Sequence, residues 1–166
     1  IRERRSIRRY KPEQITDEEL KTVLEAGTWA PTGHGTQDPC IVAVQNVQLI
    51  ERLVNMNAKI MGVDSNPYYG APTIVLVFAS ADNYNHERDA SLVLGNMMLA
   101  AHSIGLASCW INREDAMFAT KEGKELMEEM GLRDGLLGVG ALALGYAASQ
   151  PKTVKSRRED YYSIIK

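Results

Sequence analysis

The chain has 166 residues, of which 45% are hydrophobic and 24% charged, and a formal net charge of −2; this suits one soluble domain with a substantial core. No apolar run reaches the roughly 18 residues that span a bilayer, and no apolar stretch follows the basic start as a secretory signal would. Cys40 and Cys109 are too few for a disulfide framework and lack metal-ligand spacing, so the expectation is a cytoplasmic protein with no membrane partner and no metal.

A basic arm opens the chain. Thr16-Asp17-Glu18-Glu19 then has the form of a capping box, with Thr16 as N-cap and Glu19 reaching back. Leu20, Val23, Leu24 and Gly27 follow at helical spacing until Pro31 stops the helix. A loop of small and polar residues runs from Pro31 to Pro39. Cys40 to Val44 reads as a strand, and residues 48–61 as an amphipathic helix with Leu49, Leu53, Met56 and Ile60 on one face. Thr73 to Ala79 is continuously apolar and rich in β-branched residues, the pattern of a strand buried on both faces. Arg88 to Ile104 has a helical pattern but is apolar almost all round, which predicts burial against a second subunit as well as against the sheet. Gly105 is its expected C-cap. Ala107 to Ile111 reads as a short strand, Lys121 to Met130 as a charged surface helix, and Leu136 to Ala147 as a long strand punctuated by glycine. Helices and strands alternate without a repeat or linker, so the pattern by itself predicts one α/β domain.

Positive charge collects at the two ends. Arg2, Arg4, Arg5, Arg8, Arg9 and Lys11 at the start, with Lys152, Lys155, Arg157 and Arg158 at the finish, make ten of the nineteen Lys and Arg residues. Basic ends around an acidic body predict that both termini meet one anionic group, and a phosphate fits the planar fork of arginine. Taken alone, Arg4-Arg5-Ser6-Ile7-Arg8 is either a clamp for a phosphate and a ring edge or a solvated cationic arm. Nucleic-acid binding is disfavoured by the net acidity and the lack of a reading motif.

The Ala30–Gln37 loop holds two glycines, two hydroxyls, an amide and an imidazole. It can bring backbone N–H groups close to a ligand, or it is a plain polar connection. It is not a phosphate loop, because it lacks a Gly-Lys-Ser/Thr ending and leads into a strand. His34 has no partner at metal or triad spacing, and Cys109, in an apolar strand, reads as inert packing like Cys40. Glu18, Glu19, Glu128 and Glu129 read as solvated helix faces. No nucleophile or general acid stands out, so an enzyme built on this chain would take its chemistry from a bound cofactor.

Taken in order, these pieces resemble the nitroreductase family of FMN-dependent oxidoreductases, in its compact branch. The matching segments are Arg4-Arg5-Ser6-Ile7-Arg8-Arg9-Tyr10, Ala30-Pro31-Thr32-Gly33-His34 through Gln37, and Tyr69-Gly70-Ala71-Pro72. Gly105-Leu106-Ala107-Ser108-Cys109-Trp110-Ile111 and Lys155-Ser156-Arg157 complete the set. The resemblance implies a single α+β domain over residues 1–166, a three-layer α/β/α fold with a mixed central sheet, forming an intertwined homodimer with FMN at the subunit interface. Arg4, Arg5 and Ser6 would hold the phosphate and ribityl chain, with Lys155 and Arg157 closing on the phosphate. Arg8 would lie at the pyrimidine edge and stabilise the charge of the reduced flavin. Pro31, Thr32, Gly33 and Gln37 would come from the partner subunit. Trp110, Ile111 and Asn112 would run past the ring, with backbone donors near flavin N5.

The implied activity moves electrons from NADH or NADPH through FMN to a small electron-poor acceptor, such as a nitroaromatic or a quinone, by a ping-pong mechanism. The alternative on the same scaffold is a flavin-binding protein for storage or sensing. Two positions depart from the family pattern: Gly35 stands where Asn is common, and Asp38-Pro39 where Pro-Trp is common. They imply one polar side chain fewer near the flavin and a repacked core after the loop.

Overall fold

The computed structural model describes residues 1–151 and 153–166; Lys152, one of the basic residues near the C-terminus, lies outside them. The first helix, α1 (Asp17–Thr28), is closed by the expected capping box. The Glu19 N–H donates to Thr16 Oγ1 at 3.2 Å, and the Thr16 N–H donates back to Glu19 Oε2 at 2.8 Å. Glu19 is more than a solvated face, because the Tyr146 hydroxyl also donates to it at 2.6 Å and, with the Thr16 bonds, holds its pKa down.

Four strands form the central sheet: β1 (Cys40–Val44), β2 (Thr73–Ser80), β3 (Ala107–Ile111) and β4 (Leu136–Gly145), in the order β1-β2-β4-β3. Each neighbouring pair is antiparallel. The alternation of helices and strands by itself predicts an α/β class; the antiparallel pairing makes the domain α+β, as the resemblance implies. The first connection shows why. After β1 the chain leaves along α2 (Val47–Met61), and residues 62–72 bring it back, so that Ile74 pairs with Val44. The return segment cancels the crossover that a parallel pair needs. Among the described residues the one parallel pairing is the isolated bridge between Ser6 and Ser108, so the sheet is mixed only through the N-terminal arm.

Side chains alternate across β2 and both faces are buried, as its apolar run predicts. Ile74, Leu76 and Phe78 pack with Leu53 and Met56 of α2, Met117 of α4 (Glu114–Ala119) and Leu126 of α5 (Lys121–Glu129). Val75 and Val77 pack on the other face with Val23 of α1 and Val93, Leu94 and Met97 of α3 (His86–Ser103). Three layers result. α3 starts two residues earlier than its pattern suggests, and Gly105 takes φ +83° just past its end. Leu92 and Leu99 stay exposed on its outer face. The six-residue α4 has no sequence counterpart in the expected elements; it is too short to show a helical period.

The edge strand β3 is where the arm attaches. The Ile7 N–H donates to the Ser108 carbonyl at 3.0 Å. Farther on, the Lys11 N–H reaches the Tyr146 carbonyl and the Ala148 N–H the Arg9 carbonyl, both at 2.9 Å. β4 carries a bulge at Val139, since Val77 pairs with Gly140 and Phe78 with Gly138. A Cβ on Gly138 would stand 2.5 Å from the Glu114 carbonyl oxygen, so glycine there lets α4 start directly against the sheet. Among the described helices, none is long and apolar enough to cross a membrane.

Candidate functional site

Pairing with β3 holds Arg4 and Arg5 against the protein instead of leaving them as a frayed end. They line a cavity of about 170 Å³ together with Ile7, His102, Gly105 and Ser108. Arg5 Nη1 donates to the carbonyls of Arg2 and Arg4, both at 2.7 Å. Arg4 Nη1 and Arg5 Nε are buried with no hydrogen-bond partner. Each of these two arginines thus lines the cavity and carries one buried guanidinium nitrogen without a partner, which is costly unless an acceptor reaches it. The end of α3 adds partial negative charge nearby, so the arginines supply the positive field that an anion requires. Ser6 is half-buried beside them at the parallel bridge.

Arg8 lies apart from this cavity. It is exposed, with its guanidinium carbon 5.8 Å from the centre of the Tyr69 ring, a cation–π contact. The Tyr69-Gly70-Ala71-Pro72 segment thus meets the arm, with φ at +58° for Tyr69 and +72° for Gly70. Tyr10 anchors the arm between these points through its hydroxyl, 2.8 Å from the Ile7 carbonyl and 3.1 Å from that of Ala143.

Strand parity places Trp110. Because the Ser108 carbonyl faces the arm, Trp110, two residues on, presents its own N–H and C=O to the same free edge. Trp110, Asn112 and Arg113 line a second cavity of about 490 Å³ with His86 and Glu87 of α3 and Val139 of the bulge. Ile111 is buried and Asn112 exposed. The Trp110 ring N–H is buried without a partner.

Beneath this segment lies a buried polar group that the sequence reading missed. Glu114 has no exposed surface, and Tyr68 and Asn57 are equally enclosed. The Tyr68 hydroxyl donates to Glu114 Oε1 at 2.9 Å, and Asn57 Nδ2 lies 3.4 Å from the same oxygen. Asn57 Nδ2 also reaches the Asn112 carbonyl at 3.1 Å, while Arg113 Nε donates to Asn57 Oδ1 at 2.7 Å. Burial drives the Glu114 pKa up to about 8, against the opposing effect of the Tyr68 hydrogen bond. In sequence, Arg113-Glu114-Asp115 looks like an ordinary solvated turn; only burial distinguishes it. The two thiols behave as expected of packing residues, with burial raising both Cys40 and Cys109.

The Pro31–Gln37 loop forms a short 3-10 turn at Gly33–Gly35, with His34 at φ +56° and Gln37 at φ +50°. Pro31 and Gln37 are exposed, and Thr32 and Gly33 half-buried. The buried Asp89 of α3 fixes the loop by accepting the Gly33 N–H at 3.0 Å, and Thr32 Oγ1 accepts the Gln37 N–H at 3.0 Å. Asp38 anchors the loop's far end. It accepts from the Ser80 hydroxyl, the Ser80 N–H at 2.9 Å, Asn83 Nδ2 at 3.1 Å and Arg133 Nη2 at 3.0 Å. Burial would raise this carboxyl, but these bonds outweigh it and hold it at about 2. Asn83 Nδ2 also lies 3.2 Å from Asp89, which joins the two anchors. The Asp38 departure from the family pattern is therefore a built tether.

The structure brings together some of the expected site residues and separates others. Arg4, Arg5 and Ser6 cluster, as do Trp110 and Asn112. The loop lines a different cavity, of about 640 Å³, with no residue in common with the arm's. Lys155 and Arg157 are exposed in an extended tail, and among the described residues no hydrogen bond or ion pair joins them to the arm. On this single chain the arm is pinned to β3 and β4 and Gln150 still lines the arm's cavity, whereas Lys155 and Arg157 stand farther along the exposed tail.

The nitroreductase family model matches residues 1–146. The chain belongs to the nitroreductase family. A relative from Archaeoglobus fulgidus, provisionally named an NADH dehydrogenase/NAD(P)H nitroreductase, is 27% identical over 149 residues, covering 86% of this chain and 80% of its own. Among solved structures, a nitroreductase with bound FMN from Bacteroides fragilis superposes with a TM-score of 0.92 at 29% identity, covering 99% of this chain and 96% of its own. A second, from Desulfitobacterium hafniense, gives a TM-score of 0.88 at 24% identity, covering 98% and 94%, and at that identity speaks for the fold. The α+β, three-layer nitroreductase architecture is thereby established for this chain.

Proposed function

We propose that this nitroreductase is a homodimeric, cytoplasmic FMN oxidoreductase that takes electrons from NADH or NADPH and delivers them to a small electron-poor acceptor such as a nitroaromatic or a quinone. The observation that carries the reading is that Arg4 and Arg5 line one cavity and each keeps a buried guanidinium nitrogen without a partner, in a chain whose relatives include an FMN-bound nitroreductase. A phosphate monoester fits that donor set, because its oxygens satisfy both arginines. When bound, FMN supplies the redox chemistry, accepting hydride from reduced nicotinamide and passing electrons to the acceptor in ping-pong order.

The chain's own groups bind and orient. Arg4, Arg5 and Ser6 hold the phosphate end, and Trp110 and Asn112 offer backbone donors along the ring edge, with Ile111 between them turned to β4. Arg8, steered by Tyr69, places a fixed cation where negative charge develops. Pro31, Thr32, Gly33 and Gln37 serve the site of the partner subunit, which accounts for their separation from the arm on a single chain. Lys155 and Arg157 close the phosphate end once the tail is docked in the dimer. The exposed Leu92 and Leu99 on α3 supply apolar surface for that association, and residues 1–166 act as one domain.

The test is the visible spectrum of the FMN-reconstituted protein under anaerobic conditions, before and after addition of NADH or NADPH. A flavin band that bleaches is expected. A band that persists with both nucleotides assigns the protein to flavin storage or sensing, and failure to hold FMN overturns the reading.

A further inference from the structure

Glu114 belongs to none of the binding groups above, yet it lies directly under one of them. Its carboxyl has no exposed surface, Oε2 has no hydrogen-bond partner among the described residues, and the side chains that meet Oε1, Tyr68 and Asn57, are neutral. The nearest arginine, Arg113, spends its Nε on Asn57 Oδ1. A carboxylate so placed would be a buried charge with no cation bound to it, which is strongly unfavourable. Asn57 connects this carboxyl to the ring-edge segment, since its amide nitrogen also holds the Asn112 carbonyl and its amide oxygen holds Arg113. Gly138, under the Glu114 backbone, keeps the unit tight against β4.

We propose that Glu114 is a positioning residue for the flavin ring edge, held as the neutral acid, and that its proton occupancy is linked to the charge the ring acquires on reduction. The inference rests on the FMN reading above. Hydride arriving from reduced nicotinamide brings two electrons and one proton and leaves one extra negative charge on the ring, with the nicotinamide oxidised. Where Glu114 is ionised beforehand, that charge draws a second proton from solvent onto the carboxylate, and the O–H formed there is the only other bond made. Proton and electrons are thus taken up together over the pH range in which Glu114 is ionised before reduction and neutral after it.

The groups facing the carboxyl are few. Tyr68 comes from the 62–72 connection, and Arg113 and Asp115 flank it on its own segment. α2 contributes Asn57, β4 contributes Gly138, and α5 meets α4 through Gly123; none of these three titrates. The acid's pKa of about 8, raised by burial, places the linked range in mildly alkaline solution.

The experiment is a potentiometric titration of the FMN-loaded protein from about pH 6 to about pH 10, for wild type, Glu114→Gln and Tyr68→Phe. Above about pH 8 the wild-type potential should fall by about 30 mV more per pH unit than that of Glu114→Gln, the value for one extra proton in a two-electron couple. Tyr68→Phe removes a donor that favours the carboxylate, so its steeper range should begin at higher pH. Infrared difference spectra at neutral pH should show a protonated carboxyl band that Glu114→Gln lacks. Parallel wild-type and Glu114→Gln lines with FMN bound in both overturn this inference and leave the FMN reading standing. An onset unmoved in Tyr68→Phe overturns it as well, which decides the matter if Glu114→Gln does not fold. Failure of the wild type to bind FMN overturns both readings.

Discussion

Asp38 and Glu114 are both carboxyls drawn out of solvent beside an arginine, and they end in opposite charge states. Asp38 receives four donors, one of them Arg133, and is held at about 2. Glu114 receives neutral donors while its arginine is turned onto Asn57, and burial drives it to about 8. Burial alone therefore does not decide the charge of an acid; the number and kind of donors aimed at its oxygens do. The two sites also use their acids differently. Ionised Asp38 ties loop to strand by charge-assisted bonds, whereas Glu114 fills a closed space under α4.

The comparison is broken most severely by Glu114→Gln. The folded protein binds a proton that the unfolded chain has released, so wild-type stability should fall as pH rises from about 4.5 through about 8 and then level off. The Gln variant should lack this fall and exceed wild type at pH 9 by on the order of 4 kcal/mol, with the two converging in acid. Urea unfolding at several pH values measures this; a wild type with no such slope would mean that Glu114 is charged when buried.

Asp38→Ala has a smaller effect of opposite sense. It should cost about 1–2 kcal/mol at neutral pH, the strength of charge-assisted bonds reduced by solvent at the exposed Arg133. The wild type should lose this contribution as pH falls from about 4 to about 2, and the variant should show no such loss. Thermal melts in acid distinguish the two. Smallest is Arg133→Ala. Its side chain is 59% exposed, and three other donors remain on Asp38, so about 0.5 kcal/mol is expected from the same melts.

What could be read from the sequence follows the range of the forces. The capping box at Thr16, the span of β1 and that of β3 depend on neighbours a few residues away, and all three were legible. The arginine cluster by itself left both a clamp and a solvated arm open; its docking on β3, through Ser6 and Ser108, is what the fold adds. Strand direction was not legible, since it turns on the return of residues 62–72. Nor was the role of Asp38, whose partners Ser80 and Arg133 lie far along the chain. Glu114 was hidden for another reason: between Arg113 and Asp115 its letter carries the signature of a surface, and only the fold removes it from water.

The pairing of Ser6 with Ser108 and of Tyr10 with Ala147 sets an order of events during synthesis. The arm is made well ahead of the strands it docks on, β3 and the end of β4. At about 5–20 residues per second, the arm must wait several seconds for its partners, and closing so long a loop is slow in itself. The arginine-lined cavity therefore takes shape only after β3 and the residues around Ala147 have been made.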